Sequence, residues 1–330
     1  MDWGRVSLEL AALGADFRDG VLHILPYFLV GVLLGAFIRT YKFHVRLRKR
    51  LPVFGSWAVV AATLIAVISP LCACGVLPIM VSLVTSGVPL APAMALLVTS
   101  PLMSFEGYAV TAGLLGPAWA NAKLVAAIFM GLWAGLITHF VTRRGGFAVE
   151  EMFRGKVPEG DIHDPDCDHR IACNCPDRWS NRVGRRHPSK FVIFWAKALE
   201  LLWAVGKYTL LGIVIEVLAE RYVPSDWVAA VFGSKAWYTP VLISLSVVPL
   251  HLNQFTAAGI LFGPVNILER LGQDVSWSAG MALLVGGPVT ALPAMGVFLS
   301  LFKPRVFWLY LGICLTGTLI VAYVSQLLLG

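Results

Sequence analysis

The chain has 330 residues, of which 58% are hydrophobic and only 14% charged, with a mean hydropathy of +0.76. An ordinary soluble domain carries about 25% charged residues, so this composition excludes one and points to a lipid environment. The net charge of +7 does not signal nucleic acid, because Lys and Arg gather in short segments beside apolar stretches, where anionic lipid headgroups are the natural partner.

A bilayer span takes about 20 mainly apolar residues, and the first such stretch covers 21–38. Residues 1–20 ahead of it carry Asp2, Glu9, Asp16 and Asp19, and no small-residue cleavage site follows a short apolar core. The stretch therefore reads as a retained span rather than a cleaved signal peptide. A basic segment follows, Arg39 to Arg50, with Lys42, Arg46, Arg48 and Lys49. Next comes a long apolar tract, 57–115, interrupted by Pro and Gly, and then a clean span over 120–141. Residues 143–190 form the only extended polar segment, opening Arg143-Arg144-Gly145-Gly146 and closing Arg185-Arg186-His187-Pro188. After it the apolar pattern resumes at 191–219, in a broken tract at 239–262, and at 277–301 and 306–328.

The two apolar halves share landmarks in a common order. Phe28-Leu29-Val30-Gly31 matches Thr209-Leu210-Leu211-Gly212, Phe54-Gly55 matches Phe232-Gly233, and Pro70-Leu71 matches Pro249-Leu250. Met94-Ala95-Leu96-Leu97-Val98 returns unchanged at Met281-Ala282-Leu283-Leu284-Val285. Such internal duplication is frequent in transporters. It divides the chain into a first transmembrane repeat, 1–142, a connector, 143–190, and a second repeat, 191–330.

Basic loops mark the cytoplasmic face. With Arg39–Arg50 and the connector both on that face, the number of crossings between them is even. One of these is the 120–141 span, so 57–115 crosses an odd number of times, and each half then crosses an odd number in total. The second half is accordingly inverted and both termini are external. The fold expected is all-α and polytopic, two inverted-topology repeats with broken or re-entrant helices and about 8 to 10 crossings.

Within the broken tract stands Ser69-Pro70-Leu71-Cys72-Ala73-Cys74-Gly75-Val76-Leu77-Pro78, a Cys-x-Cys pair between two prolines. Laying Pro70-Leu71 on Pro249-Leu250 sets Cys72 opposite His251 and Cys74 opposite Asn253. Broken helices of inverted repeats meet near the bilayer midplane, where their free backbone groups line the substrate site. Two thiols, an imidazole and a carboxamide suit a soft, thiophilic cation or metalloid. Pro70 and Pro78 hold the break open in this reading. Glu106 is the acid that stands out in these tracts; intramembrane carboxylates are costly and usually functional, so it is a candidate to carry a coupling proton or meet the substrate. Cys314 reads as core, and His23, His44 and His139 as interfacial or structural.

The connector holds a second cluster, His163, Cys167, His169, Cys173 and Cys175, among Asp161, Asp164, Asp166 and Asp168. These are ligand types for zinc or another soft metal, at a spacing that fits no standard finger. The alternatives are a structural zinc that orders the loop, a metal acceptor feeding or sensing the transporter, and a loop without metal. No other cofactor is required. Val205-Gly206-Lys207-Tyr208 lacks the upstream Gly and following Ser/Thr of a phosphate-binding loop, which leaves ion-coupled or passive transport.

Ser-Pro-x-Cys-x-Cys, a small residue and Val-x-Pro at 69–78, then Ser86-Gly87-Val88-Pro89-Leu90 and Ser100-Pro101-Leu102, resembles the predicted permeases of the ArsP type. The resemblance is specific over about 21–141 and rests on layout beyond. It implies an inner-membrane permease that exports trivalent organoarsenicals, with Cys72 and Cys74 binding the substrate; related branches are described as copper/zinc exporters. Ala73 stands where that family more often has Ser, and the His/Cys-rich connector is not expected of arsenical exporters. The cargo thus stays open between an organoarsenical and a metal ion. A membrane thiol oxidoreductase using Cys72 and Cys74 is the alternative of another class, but it would need a Cys-x-x-Cys or a second, resolving pair. Oligomeric state is not legible.

Overall fold

Long apolar runs rich in Leu, Ala and Val and broken by Pro and Gly satisfy their backbone groups within helices, the only open-chain solution in lipid. The computed structural model describes residues 3–41, 56–69, 76–77, 79–80, 83–84, 88–144, 179–186, 189–222, 237–250, 276–290, 295, 298–299 and 302–329. Among them are ten helices: α1 (Trp3–Thr40), α2 (Trp57–Ile68), α3 (Leu90–Thr99), α4 (Phe105–Leu115), α5 (Pro117–Arg143), α6 (Trp179–Arg186), α7 (Lys190–Tyr222), α8 (Thr239–Leu250), α9 (Trp277–Val289) and α10 (Pro304–Leu329). Among the described residues the secondary structure is helical and no strand occurs, consistent with an all-α protein. Helices α5 and α10 are long and apolar enough to cross a bilayer by themselves.

Three boundaries differ from the sequence pattern. The helix bearing the 21–38 stretch is described from Trp3 and runs through Pro26, so Glu9, Asp16 and Asp19 lie within it. Helix α9 stops at Val289, where Thr290 leaves helical geometry (φ −95°, ψ 24°), so the 277–301 stretch is not one unbroken helix. The approaches to the two Pro-Leu pairs also differ. Helix α2 ends at Ile68 with Ser69 already extended (φ −70°, ψ 129°), as the residue before Pro70 should be. Helix α8 runs through Pro249 to Leu250.

The helices pack in two like groups. Helices α2, α3 and α5 contact one another, and α8, α9 and α10 do the same; α1 lies along α7, and α5 meets both α9 and α10. Leu90 and Trp277 open α3 and α9, 187 residues apart (277 minus 90), and Pro117 and Pro304 open α5 and α10 at the same separation (304 minus 117). The repeated pentapeptide falls inside α3 and α9 at that separation too, within the core. One apolar core runs through both groups, from Met94, Leu97 and Met130 to Leu283, Leu284, Phe298 and Tyr310. The outer surface is also apolar, with Trp57, Ile68, Trp203, Trp308 and Leu327 among its exposed side chains. An apolar surface this broad belongs against lipid rather than water.

Close helix approach depends on small residues. A Cβ on Gly135 of α5 would overlap Val59 of α2 and stand 3.2 Å from Ala95 of α3. Small residues at helix interfaces are the usual device where lipid removes the hydrophobic drive for association.

Gly116 alone separates α4 from α5, at φ +89° and ψ 165°, a region essentially reserved for glycine. Nothing stands within 4 Å of a Cβ placed there. Gly116→Ala is therefore expected to cost about 2 kcal/mol through backbone strain alone. Gly113→Ala, also without a neighbour within 4 Å but inside α4, is expected to be neutral or stabilising. Chemical denaturation in mixed micelles separates the two.

Candidate functional site

The break predicted at Pro70 begins where expected, since α2 stops two residues before it. Pro70, Cys72, Cys74, Pro78, His251 and Asn253 lie outside the described residues, as do His163, Cys167, His169, Cys173 and Cys175 of the connector. The expected meeting of the two thiols with the imidazole and the carboxamide falls there too. Glu106 is placed by its backbone in the first turn of α4. That helix is capped by Ser104, whose Oγ accepts from the Gly107 N–H at 3.0 Å. Among the described residues no three of His, Cys, Asp and Glu gather as a metal-ligand set.

The described surroundings of this region are specific. The Ser100-Pro101-Leu102 motif closes α3: Ser100 caps it at φ −57°, ψ −42°, and Leu102 and Met103 are buried. Thr99 Oγ1 and Ser100 Oγ are buried without a hydrogen-bond partner among the described residues. Such hydroxyls are uncommon in finished cores. Thr99 sits where α3 crosses α5. A Cβ on Gly131 would overlap Thr99 Oγ1 and stand 2.7 Å from Thr63 Cγ2, so three helices meet at this glycine. Thr63 satisfies itself by donating to Val59 O at 2.9 Å.

The same crossing exists between α9 and α10 with the residues exchanged. There Gly286 faces Thr318, whose Cγ2 would lie 3.3 Å from a Gly286 Cβ. Thr99 and Gly286 are 187 residues apart (286 minus 99), and so are Gly131 and Thr318 (318 minus 131).

Helices α5 and α10 run in opposite directions. Trp119, near the start of α5, stacks on Trp277 at a centroid distance of 3.9 Å. The Trp277 carbonyl accepts from Ser325 at 3.4 Å, and Gln326 Oε1 accepts from the Ser278 N–H at 3.1 Å, both near the end of α10. Midway, a Cβ on Gly317 would stand 2.5 Å from Met130 Sδ and 3.0 Å from Trp133 Cδ1, and Trp133 Nε1 donates to Thr316 Oγ1 at 3.4 Å. Met130 and Gly317 are again 187 apart (317 minus 130).

Sequence patterning passed over Lys123. Its side chain is fully buried on α5, and Nζ donates to Thr111 Oγ1 of α4 at 3.3 Å. The signal was present: Ala120, Lys123, Ala127, Met130, Gly131 and Ala134 recur at three- and four-residue steps, so the lysine lies on the packed stripe. Cys314 is buried in α10, in keeping with a core role. Gly206 and Lys207 lie in mid-α7, and a Cβ on Gly206 would stand 3.8 Å from the Phe28 ring of α1. That glycine serves helix packing rather than a phosphate loop.

Residues 15–327 match the ArsP_1 family of predicted permeases. The chain belongs to that family. A putative two-component membrane permease complex subunit of Streptococcus mutans is 23% identical over 309 residues, covering 93% of this chain and 91% of the relative. The UPF0718 protein YcgR of Bacillus subtilis is 23% identical over 314 residues, covering 94% and 96%. No solved structure matches. The protein is thus a membrane permease by family, and its apolar outer surface is the one such a protein needs.

Proposed function

We propose that this permease exports a soft, thiophilic cargo, a trivalent organoarsenical or related metalloid, by alternating access through a midplane site in which Cys72 and Cys74 are the ligands. The observation that carries this reading is the end of α2. The helix stops at Ile68 and the chain extends at Ser69, directly before the thiols, where an interrupted span frees backbone groups to line a cavity. His251 and Asn253 complete the ligand set from the second half, and Glu106 exchanges the coupling proton. Protons compete with soft metals for thiolates, so protonation drives release.

Two inverted repeats, 1–142 and 191–330, with about 8 to 10 crossings, a cytoplasmic connector and external termini, are the architecture proposed around this site. Three observations support the duplication: the equal spacing of α3 with α9 and α5 with α10, the exchanged Gly–Thr crossings, and the opposed directions of α5 and α10. The inner membrane is the proposed location. A partner subunit is also proposed, since one relative is named as part of a two-component complex.

In a sensitive host expressing the protein, Cys72→Ser and Cys74→Ser are each expected to abolish protection against trivalent organoarsenicals, read as intracellular arsenic. Wild-type protection by both variants would overturn the site. The His/Cys cluster at 163–175 favours a second reading, a copper/zinc-type exporter with a metal-binding connector. In that case resistance to copper or zinc, not arsenicals, is lost on deleting 160–178. Cycling of Cys72 and Cys74 between oxidised and reduced forms in thiol trapping would instead favour an oxidoreductase.

A further inference from the structure

Lys123 has no role in the cargo site proposed above, yet its place is expensive. It stands six residues into α5, about 9 Å along the helix at 1.5 Å per residue, in a helix of membrane-spanning length. Its side chain is 0% exposed. An ammonium has three protons to donate, and one of them meets Thr111 Oγ1 at 3.3 Å. Thr111 already gives its own proton to Gly107 O at 2.6 Å, so its oxygen faces Lys123 as a pure acceptor. Among the described side chains, which do not include that of Glu106, no other acceptor and no acid pairs with the amine. A neighbouring polar contact, Tyr108 to Asn121 Oδ1 at 2.8 Å, joins the same two helices without involving it.

The second half shows that the fold does not need a lysine here. At the separation that aligns α5 with α10, Lys123 corresponds to Tyr310 (310 minus 123 is 187) and Thr111 to Phe298 (298 minus 111 is 187). Phe298 and Tyr310 stack at 5.1 Å between centroids, and the tyrosine hydroxyl donates to the Val289 carbonyl. The same position is therefore filled by an aromatic pair whose polar atom is satisfied. The first half instead places a buried cation beside a hydroxyl, at a cost that only a counter-charge offsets. Buried ionisable groups in membrane spans mark substrate and ion pathways.

We propose that Lys123 and Thr111 form an anion-binding site in the first half of the permease, which takes the charged oxygen of a small carboxylate or oxyanion. The ammonium supplies the charge, Thr111 orients it, and the bound oxygen occupies the two remaining donors. The site is independent of Cys72 and Cys74.

The test uses the full chain purified in non-ionic detergent in a chloride buffer, titrated with acetate and with inorganic phosphate while thermal unfolding is followed. A ligand that binds only the folded state raises its melting temperature with saturation. Wild type is expected to respond to at least one of the two anions, and Lys123→Arg to keep the response. Lys123→Met is expected to be at least as stable without anion and to need about tenfold more anion, or to show no saturable rise. The double variant Thr111→Phe/Lys123→Tyr copies Phe298 and Tyr310; it is expected to fold and to ignore both anions. Cys72→Ser and Cys74→Ser should respond as wild type does, which separates this site from the cargo site. The proposal is overturned if neither anion stabilises wild type more than Lys123→Met. It is equally overturned if both anion-blind variants fail to fold, because the amine is then structural. A response that appears only in Glu106→Gln overturns it too, by showing that this carboxylate is the lysine's partner.

Discussion

Gly131→Thr alone is expected to cost about 3 kcal/mol or more, the upper part of the range for overpacking, and adding Thr99→Gly should recover more than half of the loss. The single change drives a side chain into Thr99 Oγ1 and against Thr63, at the point where α2, α3 and α5 meet. Backbone on one side and two short, stiff threonines on the other leave nothing that yields. The double change recreates what α9 and α10 already do with Gly286 and Thr318, where the Cβ contact is a tolerable 3.3 Å. Recovery stays incomplete because Thr63 remains beside position 131. Unfolding by denaturant in mixed micelles, with monodispersity on size exclusion as a second readout, measures both. A double variant no more stable than Gly131→Thr would mean that the two crossings are not equivalent.

Trp119→Ala is expected to lower stability by about 3 kcal/mol, as removal of a buried indole does, and Trp277→Ala, at a half-buried indole, by about 2 kcal/mol. Together they should cost about 1 kcal/mol less than the sum, because the stacked contact between them can be lost only once. The rings lie 3.9 Å apart at 14°, so each is the main neighbour of the other's face. Their position matters more than their size. This stack ties the start of α5 to the start of α9, and Ser325 and Gln326 bind the same end of α9 to the end of α10. Loss of the stack should therefore loosen one group of helices against the other while each keeps its own packing. A fully additive double mutant would show that the rings merely adjoin.

Much of this architecture was legible in the chain because apolar runs and prolines speak directly about helices in lipid. The 120–141, 191–219 and 306–328 stretches lie within α5, α7 and α10, and Pro117 and Pro304 open their helices at the first position, where a missing N–H costs nothing. The shared pentapeptide pointed to corresponding elements because it sits on the two most completely buried helices, α3 and α9, where side-chain volume is tightly constrained. What sequence missed was context. Pro249 was read as a break on the strength of Pro70; α8 continues through it to Leu250, the last described residue of that stretch, with one ladder donor missing at the proline. Val289 ends α9 although apolar residues continue in the sequence, with Thr290 already out of helical geometry. Lys123 escaped notice as a single charge in an apolar run, when the spacing of alanine and glycine around it placed it on the packed face. For the thiol site the chain offered the chemistry of Cys72 and Cys74 and the end of α2; their spatial partners are a matter of long-range symmetry, which no local pattern fixes.

The contact between Met130 and Gly317 has a consequence for heredity. Each of the two is the other's counterpart at the spacing that aligns α5 with α10, and each is also the other's surroundings. Elsewhere a corresponding pair can diverge freely, as Lys123 and Tyr310 have, because each answers only to neighbours of its own. At this crossing a larger residue at 317 has to push the Met130 thioether aside, so what one position accepts depends on what stands at the other. A glycine beside a methionine is thus a spot, among the described residues, where the two halves of a chain have to agree.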